Sequence, residues 1–207
     1  VTRGPRERMV YSAAQLIRTQ GVSGTGMREV VEHASAPRGS LQHYFPGGKD
    51  QLVREALAWS GEFAARRVKR YAEAAPTPAG LFAGMVAQWR DQFRDEGFAA
   101  GCPFVATTAD VVAGNENLRQ AVCAGFETWL RPIEESLREM GVPEERCRSL
   151  ALVMISALEG AIVMARAQED VAPLDAVVAE LGPVLDAARH PPAPAPSRSP
   201  LRAHGSS

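Results

Sequence analysis

The sequence predicts an all-α fold of about nine helices, and three observations predict it. Apolar residues recur at spacings of three and four along most of the chain, the period of one helix face. Runs with the strict alternation of strands are scarce. Glycine and proline punctuate the pattern at intervals of a helix length. With 207 residues, 45% of them apolar and 23% charged, the chain can bury a substantial core in one large domain or two small ones.

Helix one has Pro5 at its first position and Met9, Val10, Ala13, Leu16 and Ile17 as its apolar stripe, with Gly21 just past its end. Thr25 is the expected cap of helix two, and Arg28 stands where a capping box would place Glu. The Thr25 hydroxyl would then be free to share a phosphate. Met27, Val30, Val31 and Ala34 form the apolar face of this helix. Ser35-Ala36-Pro37 is a break too tight to join separate domains, and helix three is expected from about Pro37 to Phe45, with Leu41 and Phe45 turned inward.

Helix four is expected over residues 50–74, with Leu52, Ala56, Trp59, Phe63, Ala64 and Val68 inward, until Pro76-Thr77-Pro78 stops it. Helix five, residues 79–96, sets Phe82, Met85, Val86, Trp89 and Phe93 on one stripe. Gly97 and Gly101 bracket a turn, and Cys102-Pro103 opens a short helix six that runs through Val112. Asn115 caps helix seven, which carries Leu118, Val122, Phe126, Trp129, Ile133, Leu137 and Met140; Pro132 inside it is expected to kink it near Thr128. After Gly141, Pro143 with Glu144 and Glu145 starts helix eight, which ends near Gln168. Helix nine runs from Pro173, with Gly182-Pro183 a candidate bend. The remaining Pro-rich tail, residues 191–207, has no apolar period and is expected to be disordered.

Residues 25–49 are the stretch with the clearest chemistry. Two short helices across a tight turn, the second small, polar and exposed, make a helix-turn-helix. On that second helix Gly39 and His43 point away from the Leu41/Phe45 face, with Ser40, Gln42 and Tyr44 on the flanks and Arg38 in the first turn. Arginine donates bidentately to guanine, glutamine both donates and accepts at adenine, and Gly39 allows close approach of a sugar-phosphate backbone. Tyr44, His43 and Lys49 suit phosphate oxygens, and Lys49 opens a helix whose first amides also favour an anion. A merely polar surface helix is the alternative for any of these residues taken alone. Residues 1–70 hold 12 Lys/Arg against 6 Asp/Glu, and residues 71–207 hold 11 against 18, as suits a chain whose N-terminal part meets a polyanion. A solvated basic face on helix four, with Arg66, Arg67, Lys69 and Arg70, would produce much of the same asymmetry.

The stretch from Gly21 to Leu52 resembles the DNA-binding region of the tetracycline-repressor (TetR) family. Ala36-Pro37-Arg38-Gly39-Ser40-Leu41, followed by His43-Tyr44-Phe45-Pro46-Gly47-Gly48-Lys49, is similar to its LmrA/YxaF-like branch, as is the Gly101-Cys102-Pro103 turn. Gln42 and Tyr44 stand where the family usually has Tyr and His, and Gly26 replaces a common hydroxyl residue. The resemblance implies a DNA-binding domain over residues 1–48 and a ligand-binding and dimerisation domain over residues 49–190. It implies a cytoplasmic homodimer on a double-stranded operator, released by a small lipophilic or aromatic inducer. The expected DNA contacts are Thr25, Arg28, Arg38, Gly39, Ser40, Gln42, His43, Tyr44 and Lys49. An activator or a ligand-insensitive regulator would share all of these residues.

Two features of the body bear on that expectation. Met85, Trp89, Phe93, Phe104, Thr108, Phe126, Trp129, Met154 and Leu158 suit an adaptable apolar pocket, although ordinary core packing accounts for them equally well. Helix eight is apolar on more sides than a monomer surface needs, with Ser156 and Gly160 four apart. The expected dimer interface is Leu152, Ser156, Gly160 and Val163 with Val177, Leu181 and Leu185 of helix nine. Residues 149–165 reach only the lower edge of a membrane span and include Glu159, so a buried helix is expected and no membrane partner.

Other chemistries find little support. Cys102, Cys123 and Cys147 form neither a disulfide framework nor a zinc pattern and suit a reducing cytosol. Arg3, Arg6, Glu7 and Arg8 precede no apolar run of the secretory kind. Pro46-Gly47-Gly48-Lys49-Asp50 lacks the upstream glycine and the following hydroxyl of a nucleotide-binding loop. His33, His43, His190 and His204 have no metal spacing, and neither a nucleophile elbow nor a carboxylate pair is evident, so no cofactor and no enzyme activity are expected.

Overall fold

The computed structural model of the protein describes residues 4–37 and 39–189. Arg38, His190 and the expected disordered tail, residues 191–207, lie outside the described residues. Among the described residues the chain is all-α: α1 (Pro5–Gly24), α2 (Met27–His33), α3 (Ser40–Tyr44), α4 (Gly48–Ala74), α5 (Pro78–Glu96), α6 (Pro103–Val111), α7 (Glu116–Glu139), α8 (Glu144–Gln168) and α9 (Ala172–Ala187). A single 3-10 turn (Val112–Gly114) links α6 to α7.

Local chemistry explains most of the boundaries. Pro5 holds the first position of α1, and Glu7 accepts the otherwise unpaired Gly4 N–H at 3.2 Å. Thr77 caps α5 by accepting from Gly80 N at 3.0 Å, and Asn115 caps α7 by accepting from Leu118 N at 3.1 Å. Gly97 ends α5 at φ 77°, where an L side chain would be strained. Helices α7 and α9 both run on through their internal prolines, Pro132 and Pro183.

Three helices and the first turns of α4 build the head. Met9, Ala13 and Ile17 of α1 are buried with Val30 and Val31 of α2, Phe45 after α3, and Leu52 and Val53 of α4. The rest of α4 leaves the head and packs along α7. There Gly61 and Gly125 let two backbones meet, because a Cβ on Gly61 would stand 2.9 Å from the Gly125 carbonyl oxygen. The body core is formed by α5 to α9, with Phe82, Ile133, Leu137, Met154 and Leu174 almost fully buried.

Helix α8 is long and apolar enough to cross a membrane by length and composition, with half of its most apolar window buried in this fold. Its inner side holds Ala151, Met154, Leu158, Ile162 and Ala165 against the core. Its outer side shows Leu152, Val153, Val163 and Met164, each about half exposed.

Candidate functional sites

The helix-turn-helix is built by α2, the turn after it, and α3. The turn is clamped from α1, where Arg8 donates through Nε to Ala34 O (2.9 Å) and through Nη2 to Ser35 O (3.3 Å). These carbonyls end α2 and would otherwise lack partners. Ser35 takes up a left-handed φ of 48°, and Ala36 N donates back to Val31 O at 3.0 Å. The far end of α3 is held by Phe45, 1% exposed, under the Arg6 guanidinium at 5.5 Å. Gln51 bonds Gly47 N at 2.9 Å and Tyr44 O at 3.4 Å. A short helix is thus pinned at both ends and has little packing of its own.

Helix α3 begins at Ser40 rather than near Pro37. Pro37 O accepts both Ser40 N (3.0 Å) and Ser40 Oγ (2.6 Å), so these residues close a turn before the helix starts. Gln42 and His43 are exposed, Ser40 and Tyr44 are half-buried, and the His43 and Tyr44 rings meet edge to face at 5.0 Å. Gly39 has an ordinary φ of −74°, and a Cβ there would meet no atom within 4 Å. Nothing within the fold demands glycine at that place. Arg28 is exposed in the first turn of α2, and Lys49 is half-buried in the first turn of α4.

Thr25 departs from its expected role. It is 3% exposed, and its hydroxyl donates to Gly21 O at 2.6 Å, so it neither caps α2 nor presents a hydroxyl to a phosphate. The cause is Gly21, whose left-handed φ of 74° carries residues 22–24 through one more turn and moves the start of α2 on by one residue. The cap is Gly26, its N–H taken by Glu29 Oε2 at 3.3 Å, so the acidic residue of a capping box is present one place beyond Arg28.

A cavity of about 520 Å³ lies between the head and the body. Of the residues expected to line a pocket, Met85, Trp89, Phe104, Trp129 and Leu158 are on its wall. Phe93, Thr108, Phe126 and Met154 are not: Phe93 packs on Phe98 at 5.0 Å, Phe126 on Phe104 at 4.9 Å, Met154 is fully buried, and the Thr108 hydroxyl bonds Phe104 O.

Sequence reasoning missed the side contributed by α1 and α4. Tyr11, Gln15 and Arg18 of α1 and Trp59, Phe63, Arg67 and Tyr71 of α4 complete the wall. The α4 set recurs every four residues, a signal visible in the sequence. Trp59 stacks on Phe63 at 5.2 Å and 14°, and Tyr11 meets Trp59 edge to face at 5.3 Å. Arg18 lies over Trp89 at 5.2 Å, and Arg67 over Phe63 at 5.4 Å.

The head and this cavity share a seam of hydrogen bonds. Gly101 N donates to Arg18 O at 2.8 Å, and Arg18 Nε returns a bond to Gly101 O at 2.9 Å. Asp110, at the end of α6, accepts Ser23 N (2.6 Å) and Ser23 Oγ (2.7 Å), and these bonds hold its carboxyl below the usual range. Asn115 Nδ2 donates to Asp50 Oδ2 at 2.9 Å.

Cys102 lines the cavity with its thiol pushed up by burial and by the neighbouring Glu159 carboxyl. Glu159 is 7% exposed, and among the described residues its oxygens have no partner at full hydrogen-bond geometry; burial raises its pKa to about 7, and the adjacent Cys102 thiol offsets part of that rise.

On the outer face of α8, Leu152, Ser156, Gly160 and Val163 are all exposed, and a Cβ on Gly160 would meet nothing within 4 Å. Val177 and Leu181 of α9 are half-buried against the core. Leu185, expected at the same surface, is instead fully buried in the protomer, because α9 turns it toward α5 and α8; its neighbour Val184, 55% exposed, faces out.

Comparison with known proteins agrees with both halves. Residues 11–56 match the model for bacterial regulatory proteins of the tetR family, and residues 78–180 that for the C-terminal domain of LmrA/YxaF-like transcriptional regulators. An uncharacterized HTH-type transcriptional regulator of Mycobacterium tuberculosis is 38% identical over 189 residues, covering 88% of this chain and 94% of the relative. The HTH-type transcriptional regulator LmrA of Bacillus subtilis is 30% identical over 169 residues, covering 82% and 90%. In fold, the chain is similar to a TetR transcriptional regulator from Legionella pneumophila (TM-score 0.76, 19% identity, 89% and 98% covered). It is likewise similar to reduced NemR of Escherichia coli (TM-score 0.73, 23% identity, 86% and 94% covered).

Proposed function

The chain belongs to the tetR family of bacterial transcriptional regulators, in its LmrA/YxaF-like branch, and we propose that it is a homodimeric repressor released from its operator by a small molecule in the body cavity. The observation that carries this reading is the composition of the cavity wall, which takes side chains from α1 and α4, the helices that also pack the helix-turn-helix. A ligand seated there touches the head without an intervening relay.

In this reading residues 1–48 form the DNA-binding domain and residues 49–190 the ligand-binding and dimerisation domain, acting in the cytoplasm, without enzymatic turnover. Gln42, exposed on α3, reads base edges with Arg38, while Arg28, Gly39, Ser40, His43, Tyr44 and Lys49 meet the backbone. Two copies join along the exposed α8 stripe with Val177 and Leu181, so that the two α3 helices enter successive major grooves roughly 34–36 Å apart. Ligand lowers DNA affinity only by binding the DNA-incompetent arrangement more tightly, and the coupling is reciprocal. The test is a gel shift on DNA flanking the protein's own gene, repeated with a panel of aromatic and lipophilic compounds. A shifted band that at least one compound abolishes is expected. Absence of any preferred DNA, or a preferred DNA whose binding no compound that occupies the cavity weakens, would overturn the proposal.

A further inference from the structure

We infer that the cavity takes a planar aromatic anion, an arene carboxylate, with Arg18 and Arg67 as its anchoring groups. This rests on the ligand-release reading above and names the class of molecule that reading requires. The aromatic part follows from the wall: the Trp59 and Phe63 rings are stacked nearly parallel with Tyr11 edge-on to Trp59, and Trp89, Phe104 and Trp129 add aromatic surface around the same cavity, a lining that suits a flat ring.

The charge follows from what the two arginines lack. Arg18 is half-buried; its Nε is used by Gly101 O, and Nη1 bonds the neutral Gln15 at 3.0 Å. Arg67 spends Nε on the Tyr71 oxygen at 2.7 Å, and Tyr71 passes its own hydrogen to Gln88 at 2.9 Å. A guanidinium has five N–H donors, so among the described residues Arg67 keeps both terminal amino groups without a partner, and Arg18 keeps Nη2 and one hydrogen of Nη1. Among the described residues neither has a carboxylate within ion-pair distance, whereas outside the cavity Arg6 pairs with Glu55, Arg90 with Asp175 and Arg148 with Glu134.

Burial pulls the Arg18 pKa down, the mark of a charge whose lost hydration is not replaced. Asp91 and Glu96 also border the cavity, but both are exposed and screened by water. Glu159 stands behind Cys102 and is not part of the wall. A carboxylate offers the planar pair of acceptors that a guanidinium matches, and stacking keeps its ring beside the tryptophans.

The experiment titrates the full-length protein with naphthalene carboxylate, naphthalene carboxamide and naphthylmethylammonium, read by quenching of tryptophan fluorescence. The carboxylate is expected to bind at least about tenfold more tightly than the carboxamide, with the ammonium weakest. Arg67→Gln and Arg18→Gln should each erase most of that preference, lowering carboxylate affinity much more than carboxamide affinity. Thermal melts check folding, and Arg67→Gln decides alone if the lost Gly101 bond prevents Arg18→Gln from folding. Equal affinity for carboxylate and carboxamide, a preference for the ammonium, no binding of any of the three, or a preference that survives in the folded variants would overturn the inference. Operator release is read separately by anisotropy of labelled DNA. A carboxylate that binds through the arginines yet leaves the operator occupied keeps this inference and overturns the release reading; release by carboxamide at the same affinity as carboxylate does the reverse.

Discussion

Lys49 enters α4 just after Gly48, whose left-handed φ of 69° lets the chain turn into the helix, and Gln42 stands exposed in the middle of α3. If these positions have the proposed roles, Lys49→Ala weakens binding to operator and scrambled DNA alike and lowers the salt slope by about one. Gln42→Ala instead relaxes preference at one or two base pairs, costing roughly 1–3 kcal/mol of discrimination. Equal effects of both changes on both DNAs in salt titrations would contradict the assignment. Glu159 leads to a prediction about stability. Its carboxyl is raised from 4.5 to about 7 by burial, so it stays protonated in the folded chain over a range where the unfolded chain has ionised. Its contribution is fully present below about pH 4.5, falls as pH rises toward 7, and levels off above that, a total of about 3 kcal/mol from the shift. Glu159→Gln lacks this slope, so the difference in thermal midpoint between it and the parent should change between pH 5 and 7 and be constant above pH 8; parallel curves throughout would refute it. At this scale the sequence was partly legible. The Asn115 cap and the inward turn of Phe45 were readable from local patterns, whereas Thr25 was not, because its role depends on the dihedral that Gly21 adopts.

Among the helices, α4 and α7 approach most closely where Gly61 faces Gly125. A Cβ on Gly125 would stand 2.2 Å from Phe104 Cε1, and Phe104 is both fully buried and part of the cavity wall. Gly125→Ala should therefore cost about 1–3 kcal/mol of stability through overpacking. It should also shift Phe104 and lower the affinity for an aromatic ligand; an unchanged denaturation midpoint would show that the ring moves freely. The elements themselves were legible because long periodic helices state their lengths and breaks. Two things were hidden. Periodicity says that a face is buried without saying against what, so Tyr11, Gln15 and Arg18 of α1 read as head residues although they line the cavity. The start of α3 was hidden because Pro37 begins a turn as well as it begins a helix.

For the molecule as a whole, the exposed side of α8 is the surface that the protomer leaves unsatisfied. Leu152, Val153, Ser156, Gly160, Val163 and Met164 present no charge there, and the space over Gly160 is open. Under the proposed dimer, Val163→Asp places a charge in a closed apolar contact and should convert the protein to a monomer by sedimentation equilibrium, with operator affinity lost and folding retained. A dimer that survives would locate the contact elsewhere. The fold class was readable from spacing alone, but which apolar residues face a second copy was not, since Leu185 and Val184 adjoin in sequence and one is buried while the other is exposed. The same stripe bears on dosage. If a protomer alone holds one half-site and only the assembled pair holds the operator, occupancy in dilute protein rises with the square of protomer concentration. Halving expression would then lower repression about fourfold in that regime, and the sharpness of the genetic response would be set by a few uncharged side chains on α8, far from any base pair.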